Sequence, residues 1–518
     1  MSPRLASSAP PTLVRLDPRG GAALHRQIYD SLRDAVVAGR LAAGSRVPAT
    51  RVLAAELGVS RNTVTTAIEQ LRAEGYVEAR SRSGVFVART LPEVVQRVVP
   101  SRRPAAPRAV RGEAPGPSLS GRGAELAALR AAPGYRPASE RAFRAGFPAL
   151  DAFPWAIWSR LVARRLRGGM RAIGGYGAPL GHGPLREAIA ASVAASRGAT
   201  CAAEQVVVTS GAQQALDLAA RLLVGPGDTA WVEDPGYLGA RATLAAAGAR
   251  VVPVPLDAEG LDVAEAMRRA PDARIAYVTP SHQYPTGVVM TAARRLEVLQ
   301  WAARAGAWVL EDDYDSEFRY ASRPLACLQG LDPSPGSGQA GGQHVLYVGT
   351  FSKTLFPALR LGYLIVPPSL VDAFAAARAV ADRHSPSLDQ AVLADFIEEG
   401  HFARHVRRMR VLYEERRDVL LSVGAELFGD RLVLGRADAG MHVLGHLPVG
   451  VDDAAVSARA TASGVDAPAL SSYAIEPLAR GGLVLGYAAF TPRAIRTAAR
   501  KLVDVLDVSA SRASRSTG

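Results

Sequence analysis

Six short apolar runs recur between residues 206 and 348, with stretches of helical periodicity between them: Val206-Val207-Val208, Thr229-Ala230-Trp231-Val232, Val251-Val252-Pro253-Val254, Ile275-Ala276-Tyr277-Val278, Trp308-Val309-Leu310 and Val345-Leu346-Tyr347-Val348. Strands alternating with helices build a mainly parallel sheet covered on both faces, an α/β architecture. Such a sheet gathers its ligands beyond the carboxyl ends of the strands. Chemistry is therefore expected in the residues that follow each run.

Those residues carry it. Ser210-Gly211-Ala212-Gln213 opens a helix directly after a strand, so the N–H groups of Ala212 and Gln213 can cradle a phosphate at the positive helix end. Tyr237, after Glu233-Asp234-Pro235-Gly236, presents a ring able to stack on a pyridine. In Glu311-Asp312-Asp313-Tyr314-Asp315, Asp312, with Asp313 as its near competitor, is an acid able to keep a heterocyclic nitrogen protonated, and Tyr314 sets a hydroxyl beside it. The sixth run leads into Thr350-Phe351-Ser352-Lys353, with Arg360 seven residues past the lysine.

Composition gives that lysine its weight. Of 61 basic residues 59 are arginines, and the two lysines are Lys353 and Lys501. Guanidinium serves surface charge and phosphate contacts, but only a primary amine adds to an aldehyde. Lys353 is therefore read as a Schiff-base lysine, with the Thr350 and Ser352 hydroxyls and Arg360 suited to a phosphate beside it. Pyridoxal 5'-phosphate has both groups. A basic loop between two strands is the bland reading of the Ser-Lys pair taken alone.

Residues 13–88 follow another pattern. Leu24, Ile28, Leu32 and Val36 recur at helical spacing, predicting a helix over 23–38 that Gly39 closes. Thr50 is expected to cap a second helix with Leu53, Ala54 and Leu57 inside. Ser60 is expected to cap a third, with Val64, Ala67, Ile68 and Leu71 inside and Arg61, Asn62, Thr63 and Thr65 on its outward first turns. That is a helix-turn-helix, a reader of double-stranded DNA. Residues 76–80 and 85–87 alternate as strands of a wing around Ser81-Arg82-Ser83-Gly84. Charge agrees: residues 1–111 hold 18 arginines against 8 acidic residues, most of the chain's net +13, which points to a polyanionic partner. Residues 89–140, where Pro92, Pro100, Pro104, Pro107, Pro115 and Pro117 lie among Arg, Ala, Gly and Ser, read as a tether.

The lysine segment, with its Ala358-x-Arg360-x-Gly362-Tyr363 continuation, resembles the cofactor-lysine motif of fold-type-I aminotransferases. Thr279-Pro280-Ser281-His282-Gln283-Tyr284-Pro285-Thr286-Gly287 resembles their N-P-T-G loop, with Tyr284 in the asparagine slot. Gly174-Gly175-Tyr176-Gly177-Ala178-Pro179-Leu180-Gly181 is similar to the loop whose tyrosine reaches the phosphate of the neighbouring subunit, so Tyr176 implies a homodimer. Leu24-His25-Arg26-Gln27-Ile28, Val47-Pro48-Ala49-Thr50-Arg51 and Leu57-Gly58-Val59-Ser60-Arg61 resemble the winged helix of GntR-type regulators, with Ala49 where serine is usual. That likeness implies DNA contacts from Arg51, Arg61, Thr63 and Gly84, on a surface shared with Ser60, Asn62 and Arg82.

Winged helix at 13–88, linker at 89–140 and aminotransferase-like domain at 141–510 is the layout of MocR/GabR-type transcriptional regulators. It implies a large α/β domain with a smaller C-terminal α+β subdomain, an operator as partner, and an amine, amino acid or the vitamer itself as effector at Lys353. A working aminotransferase with an appended DNA-binding domain is the alternative. One departure bears on the choice: Val484, in Gly482-Leu483-Val484-Leu485, stands where aminotransferases place the arginine that grips the substrate carboxylate. Arg241 is the substitute candidate, or else a surface helix residue. Cys201 and Cys327 show no disulfide or zinc spacing, and no run reads as a signal peptide or membrane span, so a cytoplasmic protein is expected.

Overall fold

The computed structural model describes residues 14, 16–17, 21–80, 84–89, 119–128, 141–168, 174–320, 326–332 and 343–516. Most of the linker at 89–140 and the wing residue Arg82 lie outside these. The chain divides into two compact units, Met1–Gly116 and Pro117–Gly518.

In the first unit α1 (Leu24–Val37), α2 (Thr50–Leu57) and α3 (Arg61–Ala73) precede β1 (Val77–Arg80) and β2 (Gly84–Val87). The apolar positions that set the helical period close one core of Ile28, Leu32, Val36, Leu53, Val64 and Leu71. The start of α2 differs from expectation: Thr50 is its first helical residue, and the position before it is Ala49, which has no side-chain acceptor to cap with. Gly58 ends α2 at φ 66°, in the left-handed region that glycine adopts without strain. Ser60 does cap α3, its Oγ accepting the Thr63 N–H at 3.2 Å. β1 and β2 pair antiparallel from Val77 opposite Val87 to Arg80 opposite Gly84, forming the wing.

All six apolar runs of the second unit lie in strands. β3 (Val206–Thr209), β4 (Thr229–Asp234), β5 (Arg250–Asp257), β6 (Gly260–Leu261), β7 (Ile275–Val278), β8 (Trp308–Asp313), β9 (Val345–Thr350) and β10 (Gly362–Ile365) make an eight-stranded sheet in the order β3-β10-β9-β8-β7-β4-β5-β6. β9, β8, β7, β4 and β5 are parallel neighbours. β10 runs antiparallel to both β3 and β9, and β6 runs antiparallel to β5 at the other edge. Alternation places Val206 and Val208 against Leu161, Leu185 and Ile189 on one face, and Val207 against Leu216, Leu244 and Phe374 on the other. Burial on both faces is why these strands read as continuous apolar runs.

A smaller α+β subdomain follows. Helices His401–Leu427, Asp453–Ala462 and Pro492–Ser516 pack with an antiparallel sheet of β11 (Val433–Leu434), β12 (His442–His446) and β13 (Gly482–Gly486) around Met409, Tyr413, Leu483, Leu485 and Leu502. Among the described residues, no helix is long and apolar enough to cross a membrane.

Candidate functional site

Lys353 lies in the turn that leaves β9. Its Nζ donates to the Gly146 carbonyl at 2.8 Å. Gly146 has φ 75°, and a Cβ built on it would stand 2.8 Å from that same Nζ, so only glycine lets the amine sit there. Burial, reinforced by Arg144, pushes the Lys353 amine below the ordinary lysine range, while Asp315 and Asp312 oppose the shift. A larger neutral fraction is what an amine needs to add to a carbonyl.

The strand end beside it holds the acids. The Asp312 carboxyl accepts from the Tyr277 hydroxyl at 2.8 Å through Oδ2, while its other oxygen is buried with no partner among the described residues. Burial raises this carboxyl to about 7, with the Tyr277 bond and Lys353 pulling the other way. Asp313 faces away, since successive strand residues alternate. It accepts from Tyr347 at 2.5 Å and pairs with Arg197 at 3.0 Å. An unmatched buried acceptor asks for a donor. A protonated pyridine nitrogen is one.

Across the sheet, Gly211 (φ 104°) turns the chain from β3 into helix Ala212–Leu223, where Ala212 and Gln213 supply N–H groups with no intrahelical acceptor. The Arg360 guanidinium, carried on a residue at φ 53°, lies 3.4 Å from where a Gly211 Cβ would be. Helix end and guanidinium thus converge, a fit for a phosphate dianion. Thr350 and Ser352 are tied to each other, the Thr350 hydroxyl accepting the Ser352 N–H at 3.2 Å. Tyr237 is positioned through Gln213, donating to its Oε1 at 3.2 Å. Amine, buried carboxyl and anion cradle together match the aldehyde, ring nitrogen and phosphate of pyridoxal phosphate.

Other expected residues have more specific surroundings. The Tyr314 hydroxyl lies 3.0 Å from Nδ1 of His282, which also meets the Asp315 carboxylate at 3.1 Å. His442 lies against His282 with ring centroids 4.9 Å apart and planes tilted by 51°, its imidazole driven down to about 3 by burial and kept neutral. Tyr284, from the N-P-T-G-like loop, donates to the Tyr473 hydroxyl at 3.1 Å. Glu233 holds this loop, accepting from Thr279 Oγ1 at 2.6 Å and Gln283 Nε2 at 3.1 Å. Tyr176 is 84 % exposed, with the Arg383 guanidinium over its ring at 4.7 Å and the His384 ring edge-on to it at 6.3 Å. Arg241 sits half-buried on helix Leu238–Ala246 beside Asp234.

Gly146, Arg144, Tyr277, His282, His442 and Tyr473 escaped the sequence reading. Gly146 lies in Phe143-Arg144-Ala145-Gly146-Phe147-Pro148, just inside the expected domain start at 141, where no motif marks it. Tyr473 and His442 had none, because they reach the site from the far end of the chain.

In the first unit, Arg51, Ser60, Arg61, Asn62 and Gly84 are exposed and Thr63 half-buried. Ser60 and Thr63 hold each other, their hydroxyls 2.8 Å apart. Arg46 adds a cation at the wing: its guanidinium lies 3.1 Å from where a Gly84 Cβ would stand.

Residues 24–87 match the bacterial regulatory proteins of the gntR family, and residues 158–502 match aminotransferase class I and II. The chain is 43 % identical to the probable rhizopine catabolism regulatory protein MocR of Rhizobium meliloti, over 93 % of this chain and 94 % of that one. It is 33 % identical to the uncharacterized HTH-type transcriptional regulator YhdI of Bacillus subtilis, over 94 % and 96 %. Among solved structures, the alpha-aminoadipate aminotransferase LysN of Thermus thermophilus, in complex with N-(5'-phosphopyridoxyl)-L-leucine, superposes with a TM-score of 0.66 at 28 % identity, covering 71 % of this chain and 92 % of that one.

Proposed function

Because this chain belongs to the MocR-type regulators, in which a GntR-family DNA-binding module precedes an aminotransferase class I and II module, we infer that it is a transcriptional regulator holding pyridoxal phosphate on Lys353 and answering to an amino compound or to the vitamer. The observation that carries this reading is the Lys353 amine, held by Gly146 and lowered in basicity, near a buried carboxyl with one unmatched oxygen. When bound, the cofactor supplies an aldehyde for primary amines and an acid-stabilised ring that withdraws electrons.

The chain's own residues do the rest. Asp312, backed by Tyr277, would meet the ring nitrogen; Ala212, Gln213, Arg360, Thr350 and Ser352 would receive the phosphate; Tyr237 would cover the ring; and Tyr314, whose hydroxyl lies against His282 and through it Asp315, would reach the 3-oxygen. Exposed Tyr176 is assigned to the partner subunit of a homodimer. In the N-terminal unit, the first turns of α3 enter the major groove and the wing crosses the backbone, with Arg51, Arg61, Asn62, Arg82 and Gly84 as contacts. The domain limits at 13–88, 89–140 and 141–510 and a cytoplasmic location belong to the same reading. An effector acts only through different affinities for two states of the protein, which the linker passes to the DNA-binding units.

The test is operator binding, followed by fluorescence anisotropy at fixed salt, while candidate amines are titrated into the holoprotein. The reading expects amine-dependent affinity that Lys353→Ala abolishes. Efficient multiple-turnover transamination, without any change in DNA affinity, would favour the enzyme instead.

A further inference from the structure

Nδ1 of His282 is shared by three oxygens. Both oxygens of Asp315 lie within reach of it, at 3.1 and 3.2 Å, and the Tyr314 hydroxyl lies 3.0 Å away. A carboxylate only accepts hydrogen bonds, so the nitrogen facing it carries a proton whether the ring is neutral or charged. A nitrogen that carries a proton has no lone pair to offer, and the Tyr314 hydroxyl cannot donate to it. The tyrosine keeps its own proton for another acceptor. Burial, followed by Asp315, Tyr284, Asp312 and Glu233, pushes this phenol well above its ordinary value, so it stays a donor.

Glycine holds the imidazole in that pose. Gly440, at φ 82° between β11 and β12, lies so close to the ring that a Cβ on it would overlap Cε1 of His282. A Cβ on Gly287 would come within 3.3 Å of Nε2. The Gly440 carbonyl is itself fixed by the Tyr320 and Tyr487 hydroxyls, each donating at 2.7 Å. His442, on β12, lies against the same ring while its Nε2 donates to the Pro285 carbonyl at 3.1 Å. The C-terminal subdomain therefore supplies part of the slot, and Tyr314 and Asp315 reach it from the end of β8. His282 is 3 % and Asp315 1 % exposed, which leaves no room for water to take the place of either.

Resting on the regulator reading above, we propose that His282 and Asp315 are positioning residues, which fix Tyr314 as a hydrogen-bond donor to the 3-oxygen of pyridoxal phosphate in a slot that the C-terminal subdomain completes. They act through the tyrosine. A donor at that oxygen stabilises negative charge on it, so the bound cofactor should lose its proton at a lower pH than it would without one. The other titratable and charged groups around the tyrosine and the amine, Asp312, Glu233, Tyr284, His442, Arg144 and Lys353, are unchanged in the variants below and set a common baseline.

The pH midpoint of the cofactor's visible absorption in the full-length holoprotein tests this. His282→Asn keeps an N–H where Nδ1 stood, and His282→Leu, of similar size, removes it. The leucine variant should titrate about one to two pH units above wild type, the loss of one hydrogen bond to a charged oxygen, and the asparagine variant close to wild type. Asp315→Asn, which lets the imidazole change tautomer and accept from Tyr314, should move in the leucine direction. An unmoved midpoint in either His282→Leu or Asp315→Asn, with only thermal stability lowered, would overturn the proposal, and so would a shift as large in His282→Asn as in His282→Leu. A stoichiometric divalent cation in the purified wild-type protein, whose removal by a chelator moves the midpoint, would overturn it too: His282, Asp315 and His442 stand close enough to ligate one, and a metal on Nδ1 replaces the proton. If reduction fixes no cofactor on Lys353, both this inference and the regulator reading fall. If the label is there and the midpoints stay, only the inference does.

Discussion

Replacing Asp312 with asparagine should move two quantities in opposite directions. With nothing bound, the carboxyl is buried and raised from the ordinary aspartate value to about 7, which corresponds to about 4 kcal/mol of destabilisation once the pH exceeds 7. The sign follows from the direction of the shift. A carboxyl whose folded value lies above its unfolded one costs nothing below pH ~4, an increasing amount between ~4 and ~7, and the full amount above. Asparagine removes that cost and still accepts from Tyr277, but it leaves a buried amide N–H₂ without a partner, a loss of about 1–3 kcal/mol. The apoprotein should therefore gain about 1–3 kcal/mol at pH 8 and, where the carboxyl costs only about 1 kcal/mol, lose up to about 2 kcal/mol at pH 4.5. Cofactor affinity should fall, because a charge-assisted bond to the ring nitrogen, about 1.5–3 kcal/mol, is gone. Denaturant unfolding of the apoprotein at both pH values, with calorimetric titration of pyridoxal phosphate, reads both. An apoprotein destabilised at pH 8, or unchanged cofactor affinity, would refute the reasoning.

Gly211→Ala should cost about 1–3 kcal/mol for its backbone conformation and, by straining the turn that aims the Ala212 and Gln213 N–H groups, lower pyridoxal phosphate affinity roughly tenfold by titration. Gly306→Ala (φ 61°, open space around it) should cost stability through its backbone and leave cofactor affinity unchanged. Ser60→Ala should loosen α3 by about 1 kcal/mol, measured as faster hydrogen exchange of its first-turn amides in the full chain. Arg61→Ala, an exposed residue, should leave stability unchanged, weaken operator binding and reduce the salt slope of that binding by about 1 if it contacts a phosphate.

The parts of this fold that were readable in the sequence are those whose cause is local. Val206, Val309 and Val345 lie in strands buried on both faces, so burial wrote itself into consecutive residues, and the helix-turn-helix declared itself through Ile28, Leu32, Val64 and Leu71 at helical spacing. The lysine motif ends at Gly362-Tyr363, and nothing in the sequence analysis marks 362–365 as a strand. Gly362-Tyr363-Leu364-Ile365 is one turn of chain away from Lys353, and only the gap between β3 and β9 makes it a strand. The site divides in the same way. Lys353 stood out because arginine replaces lysine nearly everywhere else in the chain. The Tyr284–Tyr473 contact spans 189 positions and the Lys353–Gly146 contact 207, distances over which no periodicity carries information.

Because the chain has two lysines, the attachment point can be settled by one measurement. Borohydride reduction of the protein reconstituted with pyridoxal phosphate, followed by peptide mass mapping, should find the pyridoxyl group on Lys353 and not on Lys501. No label, or label on Lys501 alone, would contradict the account.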